Sequence, residues 1–303
     1  MRYITRTKIW SATLVLGLFT YTATPSVTQA AKPVTIPFEI SPGGHIVVPV
    51  TIGGSERLSF VVDTAAGSAV IEPDVVERLG LNVSGEKVNV RGEQGDSKQD
   101  MLMLDDLRVG NRSRDGIMTV VQDLEPFTGG RFEIDGIVDA KFLRQFDVRF
   151  DFKNKEMTLF DIATSDKNCG ACPVGATPVS FEVHAQGHML IPAAIGDTSM
   201  MGFLDTGSGH SGINSLAAEA LGLNIPKPDS SVGPYGHGFG IEGGPIKTGE
   251  VVLQDRAQLA VVDRDDIFED FGLASKPRML MGTDLLKGRV LSISYGRNTL
   301  FVQ

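Results

Sequence analysis

The sequence predicts an all-β protein built as two duplicated lobes, each carrying one short helix, with a site between them. Three observations predict it. First, "FEISPGGHIVVPVTIGG" (Phe38 to Gly54) and "FEVHAQGHMLIPAAIGD" (Phe181 to Asp197) share Phe, Glu, Gly, His, Pro, Ile and Gly at a constant offset of 143 residues. Second, apolar residues alternate over short Val- and Ile-rich runs such as "HIVVPVTI", "LSFVVD", "MTLF" and "VLSISY", separated by Gly, Asn or Asp; this is the period of strands and hairpins. Third, each copy drives an apolar run into Asp-Thr, in "SFVVDTAAGSAVI" and again in "GFLDTGSGHSGI".

In chain order, residues 1–30 read as a signal peptide. Arg2, Arg6 and Lys8 precede the apolar stretch Ile9 to Ala23, and the small-residue segment "TQAA" follows. This three-part layout places cleavage after Ala30. The stretch is short for a bilayer span of about 20 residues, so the expectation is an exported protein, periplasmic or secreted, without a stable membrane anchor. With 28 Lys and Arg against 37 Asp and Glu, the net charge is −9, and removing a basic leader makes the chain more acidic. Phosphate binding needs clustered Lys and Arg; no such cluster appears, so nucleic acid is excluded as a partner.

Residues 31–163 form the first predicted lobe and 178–303 the second. The offset becomes 142 after one residue is lost in a turn, so Asp63 falls on Asp205, and Leu79, Gly80, Leu81 and Asn82 fall on Leu221, Gly222, Leu223 and Asn224. The end of each lobe also repeats: "GIVDAKFLRQFDVRFDF" (Gly136 to Phe152) parallels "MLMGTDLLKGRVLSISY" (Met279 to Tyr295). One helix per lobe is predicted, at "EPDVVERLGL" and "INSLAAEALGL", where Pro73 and Asn214 suit a start and Gly80 and Gly222 a stop. The linker, 164–177, holds the two cysteines of the chain, Cys169 and Cys172 in "NCGACP". In an oxidising compartment this pair reads as a local disulfide. A redox-active CxxC needs a strand-to-helix setting, and a zinc site needs further ligands.

One Asp-Thr at a strand end is commonly a turn cap. Two in equivalent places of a duplicated chain mean more, because lobes facing each other about a pseudo-twofold axis bring equivalent residues together. Two carboxylates a few ångströms apart share one proton. A water between them meets one base and one proton donor, the pair needed to add water to a peptide carbonyl without a metal or covalent nucleophile.

"FLDTGSG" (Phe203 to Gly209) resembles the active-site signature of aspartic proteases. "RMLMGTDLL" (Arg278 to Leu286) is similar to the family's supporting loop, and "FVVDTAAGSAVI" to the retroviral-type form of the signature. The mature chain resembles tandem retropepsin-like domains of bacterial type, fused as in the pepsins. The resemblance implies a bilobed pepsin- and retropepsin-like fold and an aspartic-type endopeptidase acting on peptide or protein substrates, with no cofactor and no metal. It implies Asp63 and Asp205 as the catalytic pair. Thr64 and Thr206 would bond across the interface beneath them, Gly207 would give close backbone approach, and Ser208 would bond the Asp205 carboxylate. Flap candidates are Arg91 to Met101 and Gly233 to Gly244, the second bearing Tyr235 and His237. Because one chain supplies both lobes, a monomer suffices.

The first lobe departs from the pattern twice. Ala65 stands where the family has Gly, and Asp139 stands where the supporting loop has Gly, a change that costs strain if that Gly adopts a positive φ. These departures motivate a second reading, a catalytically weakened peptide- or ligand-binding protein.

Other constellations carry less. A serine hydrolase would need a nucleophile elbow in a parallel α/β sheet. On a straight strand His184 and His188 would stand about 13 Å apart, too far to share one ion. His45 and His188, repeat equivalents, read as structural polar residues at strand starts, and His210 as a subsite or loop-anchoring residue. The triplets at Asn82 and Asn111 fit the glycosylation pattern, which matters only in a eukaryotic secretory pathway.

Overall fold

A computed structural model describes residues 32–92, 95–163, 169–184, 187–223, 244–261, 263 and 273–303. The leader, the linker residues 164–168 and residues 233–243 of the second flap candidate, with Tyr235 and His237, lie outside the described residues. Strand dominates what is described, arranged in three sheets.

The first sheet is built from the N-terminal half. Ile46–Ile52 pairs antiparallel with Leu58–Val62. Leu58–Val62 lies parallel to Gly136–Val138, which is antiparallel to Ala69–Ile71, which in turn is parallel to Ile117–Val121. The second sheet repeats this sequence of pairings in the C-terminal half. Met189–Ile195 is antiparallel to Thr198–Leu204, parallel in turn to Arg278–Met281. That strand is antiparallel to Gly212–Ile213, which is parallel to Ala260–Val261. In both, the strand that carries the chain into Asp-Thr is flanked by a late strand, and the strand that leaves the turn pairs on that late strand's far side. The last three residues of each entry strand are all buried, which is why "FVV" and "GFL" read as continuous apolar runs.

The third sheet joins the halves. Its order is Val34–Pro37, Glu156–Phe160, Asp147–Asp151, Val290–Ser294, Thr299–Val302, Val179–Ser180. Asp147–Asp151 pairs antiparallel with Val290–Ser294, Val148 opposite Ile293 and Phe150 opposite Leu291. A single apolar cluster, including Phe60, Phe142, Phe150, Met279 and Ile293, runs through residues of both halves. Asp147, fully buried at the seam, accepts from Ala163 N (3.1 Å) and Ser294 Oγ (2.9 Å). Burial raises its pKa against those bonds. Cys169 and Cys172 form a disulfide, and Arg297 Nη1 approaches Cys172 Sγ at 2.9 Å.

The two expected helices form at Pro73–Leu79 and Ser215–Ala220. Pro73 opens the first and Gly80, at φ 62°, closes it in the left-handed region, where a Cβ is penalised. Asn214 caps the second, its side chain accepting from Ala217 N at 3.0 Å, and Gly222 follows its end at φ 73°. One helix per lobe is too few. Glu125–Thr128, Ala140–Leu143 and the 3₁₀ turn Thr283–Leu286 also form; each is about one turn long, too short for apolar periodicity to register.

The concern about Asp139 is corrected here. Asp139 lies at φ −87° and its counterpart Gly282 at φ −86°, both extended, so neither needs glycine's freedom. Asp139 is the N-cap of Ala140–Leu143, accepting from Phe142 N at 2.9 Å. The His184–His188 spacing is corrected as well. Glu182–Val183 pairs antiparallel with Met189–Ile195 and His184 N–H donates to His188 O at 3.0 Å, so the two histidines face each other across that pairing rather than lying along one straight strand.

Candidate active site

Each Asp is fixed first by backbone. Asp63 N–H donates to Val138 O and Asp205 N–H to Met281 O, both at 3.0 Å, so the late strand of each half holds the carboxylate-bearing residue as the chain leaves the sheet. The next residues lock the halves together. Thr64 Oγ1 donates to Leu204 O (3.0 Å) and accepts from Thr206 N (3.0 Å). Thr206 Oγ1 donates to Val62 O (2.7 Å) and accepts from Thr64 N (3.1 Å). Both threonines are fully buried, and each hydroxyl satisfies one donor and one acceptor of the opposite half. Burying such groups without partners would be costly.

Above this cross-bonded pair the carboxylates converge on one residue. Asp205 Oδ1 accepts from Gly207 N at 2.8 Å. A Cβ built on Gly207 would fall on the carboxyl group of Asp63, far inside van der Waals contact. Gly207 is therefore bonded to one carboxylate and packed against the other, and glycine is required there for close approach. Asp63 Oδ1 accepts from Ala65 N (2.6 Å) and Ala66 N (2.9 Å). The Ala65 methyl packs against the apolar cluster of Leu190, Phe203 and Leu273 from the C-terminal half.

Ser208 takes a different partner from the one the resemblance implies. Its hydroxyl donates to His210 O at 2.7 Å and accepts from His210 N at 3.4 Å, and it closes its own turn. Thr283 N–H bonds Ser208 O at 2.9 Å, and Thr283 Oγ1 donates to Gly44 O at 2.6 Å. Gly209 packs backbone to backbone on Gly43 and Gly44. The loop 41–45 of the first half thus sits on the Asp205 turn.

Its counterpart reaches the other way. His188 Nε2 lies 2.7 Å from Ala65 O, and its ring packs against Phe203 at a centroid distance of 5.2 Å. His45 packs between Phe127 and Phe132, with Nδ1 3.0 Å from Ser41 Oγ. Burial lowers its pKa to about 4, helped by His210 and Arg131. Both histidines do stand just before strand starts, but His188 also touches the Asp63 turn, which spacing within one lobe could not reveal.

Of the flap candidates, Lys87–Gly92 and Gly95–Leu104 form an antiparallel hairpin pair. Among the described residues no group of three or more His, Cys, Asp or Glu is placed to hold a metal ion.

Residues 48–138 match the family model described as aspartyl protease. The matched span contains Asp63, Thr64 and the supporting strand Gly136–Val138, and it ends before the second Asp-Thr turn. No curated protein matches the chain. The family match supports an aspartic protease family for this chain and a general peptide-hydrolase function of the aspartic type.

Proposed function

We propose that the protein is an exported aspartic endopeptidase in which Asp63 and Asp205 share a proton and hold one water between them. The ionised partner removes a proton from the water as it attacks the peptide carbonyl, while the protonated partner donates to the carbonyl oxygen. The single observation that carries this reading is the convergence of both carboxylates on Gly207 above the cross-bonded Thr64 and Thr206. Carboxylates so close repel when both are charged, which favours a shared proton. The matching order of pairings in the two sheets supports an ancestral duplication into two lobes, and one chain supplying both turns supports action as a monomer.

Incubating the purified protein with unfolded protein substrates from acidic to neutral pH tests the reading. The expected result is cleavage lost by at least about 100-fold in Asp63→Asn and in Asp205→Asn alike. Cleavage that survives either substitution overturns it. Ala65 favours the second reading, a peptide- or ligand-binding protein with little turnover, since it adds a methyl to a turn that carries glycine in the other half. Saturable binding of unfolded peptides with no product at any pH would select that reading.

A further inference from the structure

We infer that His188 is a positioning residue for Asp63, acting from the opposite half through the Ala65–Ala66 peptide to hold Asp63 as the ionised partner of the pair. The inference rests on reading Asp63 and Asp205 as the water-activating carboxylates. Ala65 O lies 2.7 Å from His188 Nε2. A carbonyl oxygen can only accept, so Nε2 carries the proton of this bond. The N–H of that same peptide, on Ala66, donates to Asp63 Oδ1 at 2.9 Å. His188 Nε2–H, the peptide and the Asp63 carboxylate therefore form one chain of donors and acceptors crossing between the halves.

Such chains polarise cooperatively. A donor on the carbonyl oxygen makes the amide a stronger donor, and a stronger donor on Oδ1 favours the charged carboxylate. Ala65 N–H adds a second bond to the same oxygen. In the other half the equivalent amide, Ser208 N–H, is directed to the backbone carbonyl of Asp205 at 3.4 Å, and the equivalent histidine, His45, is engaged with Ser41. The two turns are thus wired differently at the one peptide that matters for charge.

The ring is held for this role. His188 is 7% exposed and stacks on Phe203, in the strand that leads to Asp205. Burial lowers its pKa, opposed by the bond to Ala65 O and assisted by the nearby His184. A neutral imidazole with Nε2–H supplies the donor without placing a second full charge at the site. His184 is the titratable neighbour that acts on the ring, and Arg144 is the charged group beside the adjoining Gly187.

The experiment compares the original protein with His188→Phe, which keeps a ring on Phe203 and removes the donor, and with His188→Gln, which restores an N–H. Carboxyl-carbon NMR of Asp63 gives the titration directly, and steady-state kinetics on an unfolded protein substrate give kcat and KM. In His188→Phe the lower titration step of the carboxylate pair is expected to move to higher pH. In the same variant kcat is expected to fall about threefold to tenfold with KM unchanged, and His188→Gln to recover both. An Asp63 titration unaltered by His188→Phe overturns the inference, as does a Gln variant that behaves like Phe. Should the Phe variant fail to fold, imidazole nitrogen shifts of the unsubstituted protein still decide, because a ring protonated on Nδ1 alone cannot donate to Ala65 O. A protein that cleaves nothing yet shows the Asp63 shift keeps the role of His188 and overturns the hydrolase reading, so the two failures are distinguishable.

Discussion

Asp63 is followed by Ala65 and Ala66, Asp205 by Gly207 and Ser208, and the loops that support them carry their carboxylates at different places. In the first half Asp139 accepts from Phe142 N at 2.9 Å and from the Ala69 backbone. In the second, Asp284 accepts from Leu285 N at 3.0 Å and from Ser211 N at 3.0 Å. By the repeat offsets Phe142 corresponds to Leu285 and Ala69 to Ser211, so both acids tie the same two amides, although Asp284 stands two positions later in its loop. A Gly→Asp change read at one position is half of an exchange whose other half is Asp284 against Lys141. A similar exchange of volume occurs at the entry strand. Phe60 lies opposite Gly136, whereas Gly202 lies opposite Met279. The lesson is that repeats diverge by moving a function within a contact, and only the contact shows what was kept.

The sharpest way to break this comparison is at the turns themselves. Gly207→Ala forces a methyl onto the Asp63 carboxyl, and a displacement near 1 Å in such a site can cost about 100-fold; loss of that order in kcat/KM is expected. Ala65→Gly, its mirror, deletes a methyl packed on Leu190, Phe203 and Leu273, and activity within about threefold of the original is expected, with folding weakened by roughly 1 kcal/mol. Equal losses from the two substitutions would show that the turns are interchangeable after all.

A second test asks whether the cross-bonded threonines are equivalent. Thr64→Val and Thr206→Val each leave one buried N–H and one buried C=O unpaired. Each is expected to lower stability to denaturant by roughly 1–3 kcal/mol. Each hydroxyl bonds only backbone of the opposite half, so the double substitution leaves all four backbone groups unpaired and should cost about the two single costs added. A clear departure from additivity would mean that the two hydroxyls act as one unit.

The smallest effect concerns the displaced carboxylate. Burial raises the pKa of Asp139 against the bonds from Phe142 and Ala69. A raised carboxyl keeps its proton in the folded state to higher pH than in the unfolded chain, so its ionisation weakens folding as pH rises from the unfolded value of about 3.9 through the folded one. Asp139→Asn keeps an acceptor for Phe142 N–H and removes the charge. Its stability relative to the original should therefore climb through that window and level off above it. Denaturant melts at several pH values check this, and a difference constant with pH removes Asp139 from the comparison.

Much of this was legible in the chain. Strand alternation, the helix caps at Pro73 and Asn214 and the turns at Asp63 and Asp205 follow from local chemistry and a repeat, and the crossing of Thr64 with Thr206 from the family resemblance those turns carry. What was not legible depends on long-range partners. His188 meets Ala65 from 123 residues away. Ser208 closes its own turn on His210, and its carbonyl accepts from Thr283, 75 residues on. The role of Asp139 as a cap needed the position of Phe142, which one-turn helices do not announce in a pattern.

The sheet shared by the halves has a consequence for biosynthesis. Asp147–Asp151 pairs with Glu156–Phe160 on one side but finds its partner on the other only in Val290–Ser294, itself paired with Thr299–Val302. A nascent chain lacking those residues presents Asp147–Asp151 as an open edge, able to recruit strands from neighbouring molecules. Truncations that remove Val290–Val302 should therefore appear as aggregates rather than as a trimmed but working protein.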